Sequence, residues 1–465
     1  MQRPGLRPMR ALPVLEPRRS SLEKCVFCPK LCRTACPVSN AEPRETITPW
    51  GKMSVAWMAA HGDVPLDRSH AAPAWACTGC FACRELCDHR NPVADVLLDA
   101  RAAFTARGVA PEGARRVLER FARHDGETRT LARGLVSRAA GAVGIAGDVK
   151  ARAALLVGCG YLRRAPAEAM HAIEAATAIE GRHVSAPGSL ARPPGRSAGA
   201  WSKQDRPVAL VDACCGLPLR LAGDVDGFRA HARSVVRALE ASGVERVLVA
   251  DAGCALALRR RYPDAGVDLP ADDAARPFVE PLVEAAARWL ASRRAPPESS
   301  VPLSGERVRP DLGEAHADDA DEADRRAGEA VFWHDPCALG RGLGVFDAPR
   351  LVLARLLGRP PNEFPSSRED AVCSGAGGLL PSTMPDVARA IARARLDEAC
   401  SGGATQIVTG CASGLFALRR AAASAPPPST PGHGWGARGE RPRSPRTEIV
   451  VSDVVSWIAR LTRTH

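Results

Sequence analysis

Two short runs of cysteine near the N-terminus constrain this chain more than any other feature of its sequence. They read Cys25-x2-Cys28-x3-Cys32-x3-Cys36-Pro37 and Cys77-x2-Cys80-x2-Cys83-x3-Cys87. Three closely spaced thiolates can hold three irons of a cubane, and the fourth cysteine of such a run commonly ligates the neighbouring cluster. The spacing therefore predicts two [4Fe-4S] clusters with crossed ligation: one is held by Cys25, Cys28, Cys32 and Cys87, and the other by Cys77, Cys80, Cys83 and Cys36.

Structural zinc is the main alternative for this region, because zinc also takes Cys-x2-Cys pairs. Zinc sites usually draw on two separated pairs, whereas residues 77–87 hold four cysteines in one run. The chain has 16 cysteines, and its basic N-terminus lacks the apolar segment of a secretory signal peptide. We therefore expect a cytoplasmic, reducing environment, in which cysteines serve as metal ligands or reactive thiols rather than in disulfides.

Charge and hydropathy narrow the class of partner. The formal net charge is +11, and arginine supplies most of the basic residues. This excess reflects either the composition of a GC-rich genome or a basic surface that meets an acidic partner or an anionic membrane face. Basic residues do not alternate with aromatic ones in a stripe, so nucleic acid is not an expected partner. No apolar run reaches the roughly 18 residues of a membrane span, so we expect any membrane contact to be peripheral, on the inner face of the cell membrane and through a partner.

The rest of the chain repeats one pattern of apolar runs followed by cysteines. In the first copy, the runs 154–157, 208–211 and 247–250 precede Cys159, Cys214-Cys215-Gly216 and Asp251-Ala252-Gly253-Cys254. In the second copy, the runs 331–334 and 406–409 precede Cys337 and Cys411-Ala412-Ser413-Gly414, and Cys373-Ser374-Gly375 stands between them. Apolar runs that alternate with helical stretches predict parallel sheets, whose ligands gather at the carboxyl ends of the strands.

The sequence thus predicts a chain that combines α+β and α/β architecture. A helical, ferredoxin-like domain with two clusters precedes two duplicated α/β lobes with mostly parallel sheets. The predicted boundaries are 1–110 for the two-cluster domain, 111–150 for a helical connector, 151–291 for the first lobe, 292–329 for a linker and 330–465 for the second lobe. Proline, glycine and charged residues mark the linker and two insertions, at about 186–206 and 421–446.

These motifs resemble those of iron–sulfur subunits in which a two-cluster ferredoxin domain precedes two cysteine-rich "CCG" domains. Such subunits occur in anaerobic glycerol-3-phosphate dehydrogenase, in glycolate oxidase and in the heterodisulfide reductase group. In the second lobe, two segments closely resemble the family's sequence motifs. They are His334-Asp335-Pro336-Cys337 and Cys373-Ser374-Gly375-Ala376-Gly377-Gly378. The resemblance covers nearly the whole chain outside the linkers. It implies that a complete lobe can hold a non-cubane [4Fe-4S] cluster through five cysteines.

Neither lobe has all five of those cysteines. The first lobe keeps Cys159, Cys214, Cys215 and Cys254, with Asp251 at the remaining position. The second lobe keeps Cys337, Cys373 and Cys411, with Ser374 and Gly414 at the others. Four thiolates and a harder carboxylate ligand predict a third cluster in the first lobe, whereas three thiolates are a weaker basis for a fourth site. The alternative is a scaffold whose remaining cysteines are small buried apolar residues, as we interpret Cys400.

No nucleotide-binding motif accompanies the cysteines. Residues 141–147 lack the G-x-G-x-x-G spacing of a dinucleotide site, and no flavin or NAD site is expected. The resemblance therefore implies an electron-transfer subunit of an oxidoreductase complex, which takes electrons from a flavoprotein dehydrogenase or another redox subunit. The acceptor is then a quinone, with a membrane subunit as a second contact, or another molecule. One alternative is a catalytic subunit similar to heterodisulfide reductase, and another is a non-catalytic regulatory protein on the same scaffold. We interpret His334 as shaping the loop before Cys337.

Overall fold

The computed structural model describes residues 8–28, 31–139, 143–181, 206–272, 277–293, 330–424 and 449–464. Most of the predicted linker at 292–329 and most of the two predicted insertions, at 186–206 and 421–446, lie outside the described residues.

The N-terminal region is built from helices. Their bounds are Arg19–Val26 (α1), Pro37–Ala41 (α2), Pro49–His61 (α3), Arg68–Trp75 (α4), Ala82–Glu85 (α5) and Val93–Ala106 (α6), with 3-10 helices at Pro13–Arg18, Leu31–Ala35 and Glu45–Ile47. The Thr48 hydroxyl accepts a 3.0 Å hydrogen bond from Gly51 N and so caps α3. Gly62 ends that helix in the left-handed conformation, with a φ of 78°. Local sequence signals therefore set both ends of α3, which lies between the two cysteine runs.

A long helix, Glu112–Arg138 (α7), connects the N-terminal region to the lobes. One face of it is buried at Phe121, Ala132 and Leu135, while 11 of its 27 residues are charged, so the helix is amphipathic. Near its C-terminal end, Arg133 forms a 2.7 Å ion pair with Asp212 of the first lobe. The helix therefore lies against the first lobe along much of its length.

The first lobe contains a five-stranded, entirely parallel sheet with the order β1-β3-β2-β4-β5. The strands are Val143–Ile145 (β1), Ala151–Leu156 (β2), Arg206–Leu210 (β3), Arg246–Val249 (β4) and Val279–Pro281 (β5). The helices are Cys159–Arg164 (α8), Pro166–Gly181 (α9), Leu217–Ala222 (α10), Val225–Ser242 (α11), Ala252–Leu256 (α12), Tyr262–Asp264 (α13) and Leu282–Ala291 (α14), with a π-helical turn at Ala257–Arg261. Apolar side chains pack on both faces of this sheet, as a parallel sheet requires.

The second lobe contains a four-stranded parallel sheet with the order β7-β6-β8-β9. The strands are Val331–Trp333 (β6), Asn362–Glu363 (β7), Gln406–Thr409 (β8) and Val450–Asp453 (β9). The helices are Gly340–Leu343 (α15), Asp347–Leu357 (α16), Leu380–Thr383 (α17), Pro385–Ser401 (α18), Ala412–Ala423 (α19) and Val454–Thr464 (α20), with a 3-10 helix at Arg368–Asp370. Cys400 lies on α18 and packs at the edge of the core.

The two lobes share a hydrophobic core. Trp333 and Ile458 of the second lobe pack in the same cluster as Leu155 and Tyr161 of the first. The Tyr161 hydroxyl also donates a 2.7 Å hydrogen bond to Asp453 Oδ2 across the interface. The predicted architecture is confirmed, and both sheets are parallel throughout rather than mostly so. In the part of the chain that the structure describes, no helix is both long enough and apolar enough to cross a bilayer.

Candidate metal centres

Four cysteines of the N-terminal region form a first group, which consists of Cys25, Cys28, Cys32 and Cys87. Burial raises the pKa of the Cys25 thiol to about 12, and the negative charges of the other three cysteine thiolates also raise it. The Asn91 side-chain amide donates a 3.0 Å hydrogen bond to Cys25 Sγ. Because buried thiols that oppose each other's ionisation become thiolates readily only beside a cation, this group fits an iron–sulfur cluster.

The second group consists of Cys36, Cys77, Cys80 and Cys83. Burial raises the pKa of the Cys83 thiol well above its usual value, and the thiolates of Cys77, Cys80 and Cys36 raise it further. The group is more buried than the first, since the second run lies beneath the second lobe. The structure thus brings the eight cysteines together in the two sets of four that the sequence predicts as ligands, and that ligand assignment stays a prediction.

A buried lysine lies beside the second group. The Lys52 side chain is 2% exposed, and its Nζ lies 3.4 Å from Cys36 Sγ. Burial lowers the pKa of Lys52, but the thiolates of Cys36 and Cys77 outweigh this effect and hold the ammonium form. Sequence reasoning missed this residue, although a single lysine inside the mostly apolar helix α3 was a signal that could have found it.

Two arginines bind the backbone of the second run. Arg101 Nη2 donates a 2.7 Å hydrogen bond to the carbonyl of Cys77, and Arg341 Nε donates one of 2.7 Å to the carbonyl of Cys80. Arg341 belongs to the second lobe, so this lobe contributes directly to the surroundings of the second group. Three cations, counting Lys52, therefore lie around the second group.

A glycine-rich segment of the second lobe packs directly on the second run. A Cβ atom at Gly377 would lie 2.3 Å from Thr78 O, and one at Gly378 would lie 2.1 Å from Cys77 O. Only glycine permits this approach of two backbones. The contact also brings the Cys373 sulfur within hydrogen-bonding reach of the sulfurs of Cys80 and Cys337. The second lobe thus extends a chain of thiols from the second group into its own strand ends.

The third thiol of the second lobe lies apart from this chain. The pKa of the Cys411 thiol is raised by burial and by the nearby Asp251 carboxylate of the first lobe. Within the described residues, Cys411 does not form a single-ion site with Cys337 and Cys373. His334 is fully buried behind the Cys337 loop, and burial lowers its imidazole pKa to about 4. It is therefore neutral at pH 7, and its Nδ1 lies 3.4 Å from Thr409 Oγ1.

The four thiols of the first lobe do converge, at the carboxyl ends of β2, β3 and β4. Cys159 Sγ and Cys214 Sγ are 3.7 Å apart, and the Cys215 side chain lies within hydrogen-bonding reach of Cys214 and Cys254. A hydrogen bond from Cys214 lowers the pKa of Cys159 to about 6. Gly158 adopts a φ of 98°, and a Cβ there would lie 3.5 Å from Cys254 Sγ. The first lobe therefore presents a continuous row of sulfur atoms.

Asp251 lies at one end of this row and bridges the lobes. Its Oδ1 accepts hydrogen bonds from Gly253 N at 3.2 Å and from Ala412 N of the second lobe at 3.3 Å. Burial raises the pKa of Asp251 to about 6. Its Oδ2 faces Cys254 Sγ at 3.8 Å. One carboxylate oxygen thus caps a helix in each lobe, and the other points towards the sulfur row.

A histidine of the connector helix lies at the other end of the row. One ring nitrogen of His124 lies within 4.8 Å of both Cys159 Sγ and Cys214 Sγ. Its neighbour Asp125 accepts a 2.8 Å hydrogen bond from Cys214 N, and His231 Nε2 lies 2.7 Å from the carbonyl of Cys214. Sequence reasoning missed His124, because the long-range packing of α7 on the lobe brings it to the cysteines and no local motif marks it.

The second group and the thiols of both lobes open onto one cavity of about 1510 Å³ between the three parts of the chain. The thiols that line it include Cys77 of the N-terminal region, Cys159, Cys215 and Cys254 of the first lobe, and Cys337, Cys373 and Cys411 of the second. Ten arginines also contribute to its wall, whereas Glu127 and Asp251 are the acidic residues that line it in the described part of the chain. The cavity is therefore suited to an anionic molecule.

Comparison with known families agrees with these observations. Residues 21–91 match the 4Fe-4S dicluster domain, and residues 206–259 and 331–419 match the cysteine-rich CCG domain. The dicluster domain with its eight cysteines implies two [4Fe-4S] clusters. No solved structure matches the chain.

Curated relatives cover the chain to different extents. It is 32% identical over 203 residues to one subunit of the dihydromethanophenazine:CoB–CoM heterodisulfide reductase of Methanosarcina barkeri, a match that spans 43% of this chain and 42% of that protein. It is 22% identical over 398 residues to one subunit of the fumarate reductase (CoM/CoB) of Methanothermobacter marburgensis, which spans 84% of this chain and 66% of that protein. Both relatives belong to oxidoreductases with several subunits.

Proposed function

Since this chain is an iron–sulfur redox protein that joins a 4Fe-4S dicluster domain to two cysteine-rich CCG domains, we propose that it is the electron-transfer subunit of an oxidoreductase complex. A flavoprotein dehydrogenase or another redox subunit supplies the electrons, and a quinone or another acceptor receives them. When bound, the clusters supply one-electron redox chemistry. The residues of the chain hold these groups, set their potentials and control access to them.

The observation that carries this proposal is the contact between Cys80 and the second lobe. Cys80, a predicted cluster ligand, lies against Cys373, and Cys373 lies against Cys337 at the wall of the cavity. Glycine at positions 377 and 378 makes the contact possible. The predicted cluster ligands and the cavity are therefore in direct contact, without an intervening layer of protein.

Charged residues support a fixed direction of transfer. Lys52, Arg101 and Arg341 surround the second group, while Asn91 donates a hydrogen bond to the first. Positive charge stabilises the more negative, reduced form of a nearby redox group. The residues around the second group thus favour reduction there, next to the cavity, over reduction at the first group.

Exposed apolar side chains support entry of electrons at the first group. Phe27 is 79% exposed and Leu86 is 50% exposed, and they adjoin Cys28 and Cys87 respectively. Large exposed apolar side chains are enriched where proteins dock. We propose this side of the N-terminal region as the contact for the electron donor.

The basic cavity favours one alternative, in which the chain itself reduces a substrate. A disulfide that carries acidic groups would match both the arginines and the thiols of the wall. A heterodisulfide is the substrate named for the relative from Methanosarcina barkeri. In that case the chain is a catalytic subunit of the heterodisulfide reductase type.

An anaerobic preparation of the full chain tests these proposals. We expect about 8 iron atoms per chain from two cubanes, or about 12 with a third cluster, and matching acid-labile sulfide. Photoreduced flavin mononucleotide serves as the donor, and menadione or oxidised glutathione as the acceptor. Reduction of menadione supports the electron-transfer proposal, and turnover of glutathione favours the alternative. Zinc without sulfide would overturn both.

A further inference from the structure

The row of sulfur atoms in the first lobe is one cysteine short of five. The residue at that position, Asp251, already accepts hydrogen bonds from two helix N-termini through Oδ1. If Asp251 turned to bind a metal with both oxygens, Gly253 N and Ala412 N would lose their partner, and a buried donor without a partner is costly. Only Oδ2 of Asp251 remains for a metal, and it lies at the Cys254 end of the row, so we look for a ligand at the opposite end.

His124 is placed to supply that ligand. Its ring nitrogen and the sulfurs of Cys159 and Cys214 lie within 4.8 Å of one another. His124 Nε2 is buried and forms no hydrogen bond of good geometry among the described residues, while the His124 side chain lies within hydrogen-bonding reach of Cys159. The separation of 3.7 Å between the two sulfurs matches the edge of about 3.8 Å that two thiolates span on one tetrahedral metal ion. A nitrogen within 4.8 Å of both sulfurs can reach a third corner of such a tetrahedron after a small movement of the side chain.

The surrounding residues hold His124 in this position. The next residue of α7, Asp125, accepts a hydrogen bond from Cys214 N, so the connector helix is fastened to the cysteine loop itself. On the outer side of the ring, Arg163 lies against His124 Nδ1 and pairs with Glu127 at 2.9 Å. When Nε2 binds a metal, Nδ1 carries the ring proton and no longer accepts a hydrogen bond from Arg163, whose guanidinium keeps its ion pair with Glu127.

We infer that His124 is a metal ligand and that the complete set of the first lobe is His124, Cys159, Cys214, Cys215 and Cys254. The inference rests on the proposed function, in that it requires an iron-containing centre in this lobe. Imidazole and thiolate together suit iron, and replacement of thiolate by histidine raises the potential of an iron–sulfur centre. The centre would also fasten α7, and with it the N-terminal region, to the first lobe.

Pulsed EPR on the full chain, with and without ¹⁵N-labelled histidine, tests this inference. In the wild type we expect a strong nitrogen coupling on the signal of the third centre, which changes on ¹⁵N labelling. His124→Cys should keep the iron and lose the coupling. His124→Ala should lose iron from this centre at least about 10-fold faster under a chelator. The matched control is His231→Gln, which removes the other imidazole near Cys214 and should leave the coupling unchanged.

The outcomes separate this inference from the proposed function. A third centre without histidine coupling, or with a coupling that survives His124→Cys, overturns the assignment of His124 and leaves electron transfer intact. Iron for two cubanes alone, in a chain that still reduces menadione, also overturns the assignment and leaves the proposed function standing. Loss of menadione reduction in the wild type, with the histidine coupling present, overturns the proposed function and supports the ligand.

Discussion

The two lobes have the same strand order around their cysteines and yet place those cysteines differently. In the first lobe, four thiols and His124 converge at the ends of three strands. In the second lobe, Cys337 and Cys373 continue towards Cys80, while Cys411 lies apart, near Asp251. The comparison shows that a duplicated scaffold can place its thiols in two ways: those of the first lobe converge at one point, and those of the second lead from the N-terminal region to the cavity.

The interface between the lobes shows which residues take the positions where cysteine is absent. A position that the CCG pattern reserves for cysteine is Asp251 in the first lobe, and its carboxylate caps helices of both lobes. In the second lobe, glycine at 414 removes a side chain next to Ser374, since a Cβ there would lie 3.4 Å from Ser374 Oγ. Asp251 thus acts as a structural bridge at one such position, and glycine leaves space at the wall of the cavity at another.

The largest expected effect comes from removing one thiol in each lobe. Cys215→Ala breaks the row in the first lobe, so we expect the loss of about 4 iron atoms per chain together with the EPR signal of the third centre. Cys373→Ala should keep all of the iron, because Cys373 and its neighbours do not form a complete ligand set. Iron analysis and EPR measure both, with Cys400→Ala as the control. Equal iron loss in the two variants would erase the distinction between the lobes.

The next effect concerns the contact between the second lobe and the second run. A side chain at position 377 would collide with Thr78 O, so Gly377→Val should separate the two backbones. We expect a destabilisation of about 1–3 kcal/mol from overpacking and slower reduction of menadione by the reduced chain. Urea unfolding and stopped-flow absorbance measure these quantities.

The matched control for Gly377→Val is Gly126→Ala on α7, where no atom lies within 4 Å of the new Cβ. Alanine at a helical position without steric conflict should be neutral or stabilising by up to about 1 kcal/mol. Unchanged kinetics in Gly377→Val, with the stability loss present, would show that the second lobe does not serve as the connection.

A smaller effect tests whether the second lobe tunes the second group. Removing the charge of Arg341 with Arg341→Met should lower the potential of the second group on the order of 50–100 mV, because one nearby buried charge contributes a few kcal/mol. Lys52→Met, within the N-terminal region, should act in the same direction. EPR-monitored redox titration measures both shifts, and the first group should change less in either variant. A shift in Lys52→Met alone would confine the tuning to the N-terminal region.

The features of the fold that depend on short stretches of sequence could be predicted from the sequence alone. Apolar runs followed by cysteines predicted the parallel sheets and their ligand ends, and the helix caps at Thr48 and Gly62 are equally local. Lys52 and His124 could not be assigned, because their importance depends on which elements pack together over long distances. The domain boundaries and the ligand assignment of the eight N-terminal cysteines stay predictions.

The smallest effect concerns the bond that joins the lobes, between Tyr161 and Asp453. Burial raises the pKa of Asp453 to about 7 from a usual 3.8, and hydrogen bonds from Tyr161 and Val455 N only partly oppose this. The folded chain therefore holds this proton more tightly than the unfolded chain. The resulting stabilisation is complete below about pH 4 and is lost as the pH rises to about 7, with a slope of at most about 1.4 kcal/mol per pH unit.

Asp453→Asn removes this titration, so between pH 5 and 7 the stability of the variant should fall less with rising pH than that of the wild type. At pH 5 the variant should be less stable by about 1 kcal/mol, because the amide replaces the acid imperfectly as a partner of Tyr161, and at pH 8 the difference should shrink or reverse. Urea midpoints followed by tryptophan fluorescence give the two curves. The control is Asp386→Asn, whose side chain is 86% exposed and should leave the slope unchanged. Parallel curves for Asp453→Asn and the wild type would mean that Asp453 stays ionised, and the lobes would then be joined by a charged rather than a neutral bond.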